Sequence, residues 1–224
     1  MFYLQISTAA DSLVQGGQQP ITLLELSIKG GIMMIPIILL SILAVYIFIE
    51  RILTINKASK TPDIFFDKIK NMVIRGDISG ARLLCAQNDT PIAKMIEKGI
   101  SRLGSQLKNI ETSIENIGKI EIAKLEKNLA LLATVAGAAP MFGFLGTVTG
   151  MIRAFMAIAQ QATTVSPKLL SSGIYEAMIT TAAGLMVGIP AYLAYNYLVS
   201  RIQKLINQME YTSVNFIDLL QEPR

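Results

Sequence analysis

The chain has 224 residues, a net charge of +4, no histidine and a single cysteine, Cys85. Hydrophobic residues make up 52% and charged residues 16%, against usual shares of ~45–50% and ~25%, which excludes a disordered chain. The missing His and lone Cys exclude a disulfide framework and Ser-His-Asp or Cys-His catalysis, and leave zinc and haem without their usual ligands. No catalytic constellation, cofactor site or metal site is expected. Basic residues alternate with acidic ones, unlike the lopsided footprint of a nucleic-acid binder. The charges are also unevenly placed: residues 50–127 carry 24 of the 36, and the other 146 residues carry 12.

In chain order, residues 1–30 lack a basic n-region and Asp11 interrupts their apolar run, so they do not read as a secretory signal. Pro20 suits a first helical position, and Ile21, Leu24 and Ile28 recur at helical spacing. A short amphipathic helix lying on the membrane surface is expected there. Between Lys29 and Glu50 lie 20 uncharged residues, enough for one bilayer-spanning helix, placed at 31–49. The charged segment 50–127 reads as helices over 64–74, 78–87 and 92–103. Gly76-Asp77 ends the first and Thr90-Pro91 starts the third. From Ser105 no proline intervenes before Pro140, and Leu107, Ile110, Ile114 and Ile117 lie three or four apart. One long helix from about residue 105 through the second span is expected.

The second span, 128–152, includes 25 uncharged residues, Asn128 to Ile152. A short connection, 153–170, leads to the third span, 171–199, and a final helical segment, 200–224. Between Lys168 and Arg201 only Glu176 is charged. Basic flanks orient the chain. Arg51, Lys57, Lys60, Lys119, Lys124, Lys127, Arg201 and Lys204 lie on one side, against Lys29, Arg153 and Lys168 on the other. The N-terminus is therefore expected outside, with residues 50–127 and the C-terminus in the cytoplasm, where a free Cys85 is unremarkable.

Spans two and three are rich in small residues. Gly143, Gly146 and Gly150, then Gly184 and Gly188, let helices approach closely. Pro140 and Pro190 each remove a backbone hydrogen bond inside a span and are read as kinks or hinges. Glu176 is the exception to an otherwise acid-free set of windows. An ionised side chain at the centre of a span costs about 2.5–3.5 kcal/mol on insertion scales. Loss of water favours a neutral carboxyl, which could then be loaded with a proton and unloaded. Thr180 follows on the same helical face and Thr181 one step round, with Thr147 and Thr149 in span two offering further hydroxyls. Against this stand two plainer readings: an interfacial acid that reaches water, and threonines bonded to their own helix backbone. No span supplies a basic partner for Glu176 on this reading. Three helices do not easily wall off a polar path alone, so a homo-oligomer with the polar faces of spans two and three turned inward is expected.

Ala139-Pro140 with Gly143-Phe144-Leu145-Gly146-Thr147-Val148-Thr149-Gly150-Met151, and Ser166-Pro167 with Ile174-Tyr175-Glu176-Ala177-Met178-Ile179-Thr180-Thr181-Ala182-Ala183-Gly184-Leu185, resemble the second- and third-span motifs of the ExbB/TolQ/MotA proton-channel family. Ile189-Pro190-Ala191 and Ala194-Tyr195-Asn196 continue the likeness. Three spans and a large inner loop are more similar to ExbB and TolQ than to the four-span MotA type. The resemblance implies an all-α membrane protein of three transmembrane helices, with long helices extending into a cytoplasmic helical domain. It implies a ring-forming homo-oligomer, a pentamer, in the bacterial inner membrane. The ring would surround the transmembrane helices of an ExbD- or TolR-like dimer.

The family's span-three acid falls on Glu176 and its lining threonines on Thr147 and Thr181. Thr180 is a further candidate for the proton path. The implied activity is use of the proton motive force to energise TonB-dependent transport across the outer membrane. The alternatives are a TolQ-type subunit acting through TolA in envelope integrity, and a non-conducting membrane scaffold in which Glu176 only fixes packing. Membrane lipids are implied partners and nucleic acid is not.

Overall fold

The computed structural model describes residues 30–60, 63–160 and 167–221. The surface helix expected around Pro20 to Ile28 falls outside the described residues. Among the described residues the regular elements are helices: α1 (Met34–Ala58), α2 (Asp63–Ile74), α3 (Ile78–Ala86), α4 (Pro91–Ile100), α5 (Leu107–Glu126), α6 (Leu129–Ala159) and α7 (Pro167–Gln221). Among the described residues three stretches are long and apolar enough to cross a membrane. They are Met34–Ala58, Leu107–Ala159 and Ser171–Gln221, with mean hydropathies of 2.2, 1.8 and 1.6 in their most apolar windows. Only 22% of that window in α1 is buried by the chain, and Ile35, Leu39, Ile42 and Tyr46 stand exposed. So much uncovered apolar surface calls for lipid or other protein around it.

The short helices follow their local signals. The Asp77 side chain accepts the Gly80 N–H at 2.9 Å and starts α3. Thr90 accepts the Ala93 N–H at 3.4 Å with Pro91 in the first turn of α4. Both satisfy donors that an N-terminus leaves without partners.

The described residues divide into two compact units, one drawn from residues within 30–38 and 140–185, the other from within 39–139 and 186–221. The core of the second unit is one apolar cluster, with Ile55, Ile69, Ile96, Leu132, Leu205 and Phe216 among its buried members. Cys85 is buried in it. Burial, with a smaller contribution from Glu97, pushes its thiol up to about 12, so this cysteine is inert packing rather than a nucleophile.

The expected single helix from residue 105 into the second span is interrupted. It breaks at Lys127 and Asn128, where Lys127 is extended (φ −50°, ψ 136°) and Asn128 is left-handed (φ 63°). Arg51 accounts for the stop. Its side chain is buried, and its Nη1 donates to the Lys124 carbonyl at 2.9 Å and the Leu125 carbonyl at 3.5 Å. Glu50 pairs with the same guanidinium through Nε at 2.9 Å. The carbonyls at the end of a helix have no partner of their own, and a cation there is favourable. Asparagine is also among the few residues that enter the left-handed region at low cost.

A polar network crosses the same unit. Lys94 Nζ lies 2.6 Å from Asp89 and 3.6 Å from the buried Glu121, while Lys57 Nζ lies 3.0 Å from Asp89. The hydrogen bond from Lys94, then that from Lys57, holds the Asp89 carboxyl at about 2, below the usual carboxylate range. A carboxyl that is more acidic when folded stabilises the fold above its unfolded value of ~3.9, and that stability is lost as pH falls through its folded value. Asp89→Asn is therefore expected to lower stability at pH 7 by no more than ~1 kcal/mol, because water screens so exposed a pair. The deficit should shrink as pH falls from about 4 toward about 2. Denaturant titrations of both proteins at pH 7 and near pH 2 check this, and a deficit that does not change with pH would contradict it.

Candidate functional site

In the unit drawn from residues within 30–38 and 140–185, parts of α6 and α7 pack almost backbone to backbone. A Cβ on Gly143 would lie 2.8 Å from the Thr180 carbonyl oxygen, 3.1 Å from the Thr181 Cα and 3.3 Å from the Gly184 Cα. One on Gly146 would strike the Thr180 side chain. One on Gly150 would lie 3.1 Å from both the Gly173 carbonyl oxygen and the Ala177 Cβ. One on Gly173 would come within 2.7 Å of the Ala154 Cβ. Small residues at 143, 146, 150 and 154 thus face small residues at 173, 177, 180 and 184, the arrangement that lets membrane helices gain dispersion contact without large side chains. Gly188 is buried in the part of α7 that belongs to the other unit. Both helices continue through their prolines, Pro140 and Pro190.

The threonines divide by what their hydroxyls meet. Thr147 donates to the Phe144 carbonyl at 2.6 Å, Thr149 to Leu145 at 3.0 Å, and Thr180 to Ala177 at 2.8 Å, each within its own helix. Thr181 differs: it donates to the Gly143 carbonyl of α6 at 3.1 Å, tying the two helices together. Thr180 is only 1% exposed, in the contact with Gly146.

Glu176 is part-buried, and its Oε1 lies 2.9 Å from Nη1 of Arg153. The reading that no span supplies a basic partner is therefore corrected. Arg153 sits near the end of α6, 23 residues before Glu176, and the docking of the two helices brings them together. A second neighbour was equally hidden. Gly31 has φ +67°, and a Cβ there would collide with the Glu176 carboxyl. Glycine is needed both for the left-handed backbone and for the close approach. An open cleft of about 570 Å³ borders the pair, lined also by Ala154, Ala157, Ser172, Gly173 and Tyr175. The arrangement pairs a carboxylate with a guanidinium beside a space that admits water. Among the described residues no cluster of three or more His, Cys, Asp or Glu side chains could hold a metal ion.

The register between two helices is not written in either one, so Arg153 looked like a simple flanking charge. The Lys29-Gly30-Gly31 entry to the first span was the only trace of the Gly31 contact.

Comparison with known proteins agrees with this architecture. Residues 87–211 match the MotA/TolQ/ExbB proton channel family. The chain is 29% identical over 191 residues to a protein of Methanothermobacter thermautotrophicus described as a biopolymer transport protein ExbB homolog, covering 84% of this chain and 67% of that one. It is 33% identical over 186 residues to an ExbB-like protein of Synechocystis, covering 80% and 71%. It is 46% identical over 100 residues to the Tol-Pal system protein TolQ of Haemophilus influenzae, covering 44% and 41%. The match takes in α4 to α6 and most of α7, including the glycine-packed helices and Glu176, and this chain belongs to the MotA/TolQ/ExbB proton channel family.

Proposed function

We propose that the chain is a proton-channel and motor subunit of the bacterial inner membrane. With an ExbD-like single-span partner it uses the proton motive force to energise TonB-dependent transport across the outer membrane. The observation that carries the reading is Glu176, the one acid in three otherwise acid-free apolar windows, set on the tightly packed helices α6 and α7. Thr147, Thr181 and Thr180 are the further residues assigned to the path. One charge crossing 100 mV is worth about 2.3 kcal/mol, so a few protons suffice to bias a partner between two arrangements.

Exposed Phe144, Val148, Met178 and Leu185 beside this packing supply the surface for assembly. The proposed assembly is a homopentamer, the N-terminus periplasmic and the C-terminus cytoplasmic, around a dimer of the partner's helices. The stretch of 46% identity to TolQ favours a second output with the same chemistry, through a TolR-like partner and TolA.

Native mass measurement of the complex purified from its own cells tests the assembly. A ring of five chains holding a single-span protein is expected. Monomers alone would overturn the motor reading, and a TolR-type periplasmic domain on the partner would replace the TonB output with the Tol one.

A further inference from the structure

We infer that Arg153 is the positioning counter-ion of Glu176, a latch that must open for the carboxyl to take up a proton and that drives the proton off when it closes. The inference rests on the proposed proton path and adds to it a residue that the sequence left unassigned.

The Gly150, Ala154, Gly173 and Ala177 contacts leave no room for the backbones to close further, and the side chains of the pair are the groups with space to move. Arg153 has the freedom required. Its side chain is 53% exposed and borders the 570 Å³ cleft. Glu176 has less, at 26% exposed with Gly31 against its carboxyl. Among the described residues the titratable or charged groups lining the cleft are Arg153 from α6, and Glu176 and Tyr175 from α7. Of the described residues before α1, Gly31 stands against the carboxyl, and its backbone carries no charge.

An exposed pair of this kind is worth little in water. Inside a membrane or an assembled ring, the same 2.9 Å contact acts through a lower dielectric and is much stronger. A protonated carboxyl offers the guanidinium no charge, so proton uptake and opening of the pair are one event. In that step a hydronium ion in the cleft gives up one O–H bond, an O–H bond forms on Glu176, and the Arg153 contact breaks. In the reverse step the returning guanidinium restores the ion pair, the O–H bond breaks, and the proton passes to water in the cleft. No electrons change hands.

The test uses the full chain reconstituted with its partner in vesicles. Proton flux is followed with an enclosed pH dye under an imposed potential across a range of pH. The Glu176 carboxyl is followed by its infrared band, assigned by the band's loss in Glu176→Gln. In Arg153→Gln the protonated band should persist at pH values where the parent protein has lost it, with the flux profile displaced the same way. Arg153→Lys, which keeps the charge, should move both less.

Gly31→Ala pushes the carboxyl from its seat without removing any charge and should displace the band in the same direction. It carries the test if Arg153→Gln does not assemble. A band and profile unmoved in Arg153→Gln, or in Gly31→Ala when that variant stands in, overturn the inference and leave the channel reading standing. A displaced band in a protein that passes no protons supports the latch and overturns the channel.

Discussion

Replacing Glu176 with glutamine is expected to leave the protein folded and assembled while abolishing proton-driven work. Glutamine matches the shape of the side chain, so the packing of α6 on α7, built from glycine and alanine contacts, is undisturbed. The lost contact to Arg153, a residue that stands 53% exposed, costs the isolated chain no more than ~1 kcal/mol. What disappears is the group that can bind and release a proton. Removing such a group commonly slows proton transfer by ~10²–10⁴-fold, so flux in reconstituted vesicles and partner-driven transport in cells should both fall at least a hundredfold. Full activity in this variant would reject the assigned role of Glu176. A loss of activity accompanied by loss of the assembly would instead support the scaffold reading.

The second large effect is expected at Gly143. A valine there would put its Cβ among backbone atoms of Thr180, Thr181 and Gly184 at 2.8–3.3 Å, and backbone inside a helix cannot step aside. The helices must separate, with loss of the contacts below them and of the Thr181 to Gly143 hydrogen bond. Overpacking of this kind costs ~1–3 kcal/mol or more, and the thermal unfolding midpoint of the purified protein should fall clearly. Gly146→Ala should lower the midpoint as well, because its added Cβ would strike the buried Thr180 side chain, whose own Cβ is fixed by the backbone. Gly137→Ala provides the control. Nothing lies within 4 Å of its added Cβ, and alanine favours a helix by up to ~1 kcal/mol over glycine. An unchanged midpoint in Gly143→Val would mean that the two helices do not pack through this face.

Much of this protein follows from local chemistry that a single chain displays openly. Glu176 apart, the windows around α1, α6 and α7 lack charges over the length of a bilayer, and each becomes a helix because a helix satisfies its backbone groups within one segment there. Thr90-Pro91 marks the start of α4 because capping and a fixed φ act within one turn. The glycines at 143, 146 and 150 point to close helix contact for the same reason, since their spacing places them on one face. Glu176 stands out by composition alone.

Tertiary structure decided the features that depend on which side chains meet. Arg51 lies 73 residues before Lys124, yet its guanidinium caps the end of α5 and breaks a helix that local periodicity would continue. Arg153 reads as a flanking charge until α6 and α7 dock and set it 2.9 Å from Glu176. Thr180 and Thr181 are adjacent on one helix, but only Thr181 reaches across to α6, because helix crossing rather than spacing selects the hydroxyl that meets a neighbour. Residue type and spacing act over a few ångströms of one chain and so determined the helices, the spans and the candidate acid. The partners of that acid are set by packing between segments far apart in sequence, and only the folded chain holds that information.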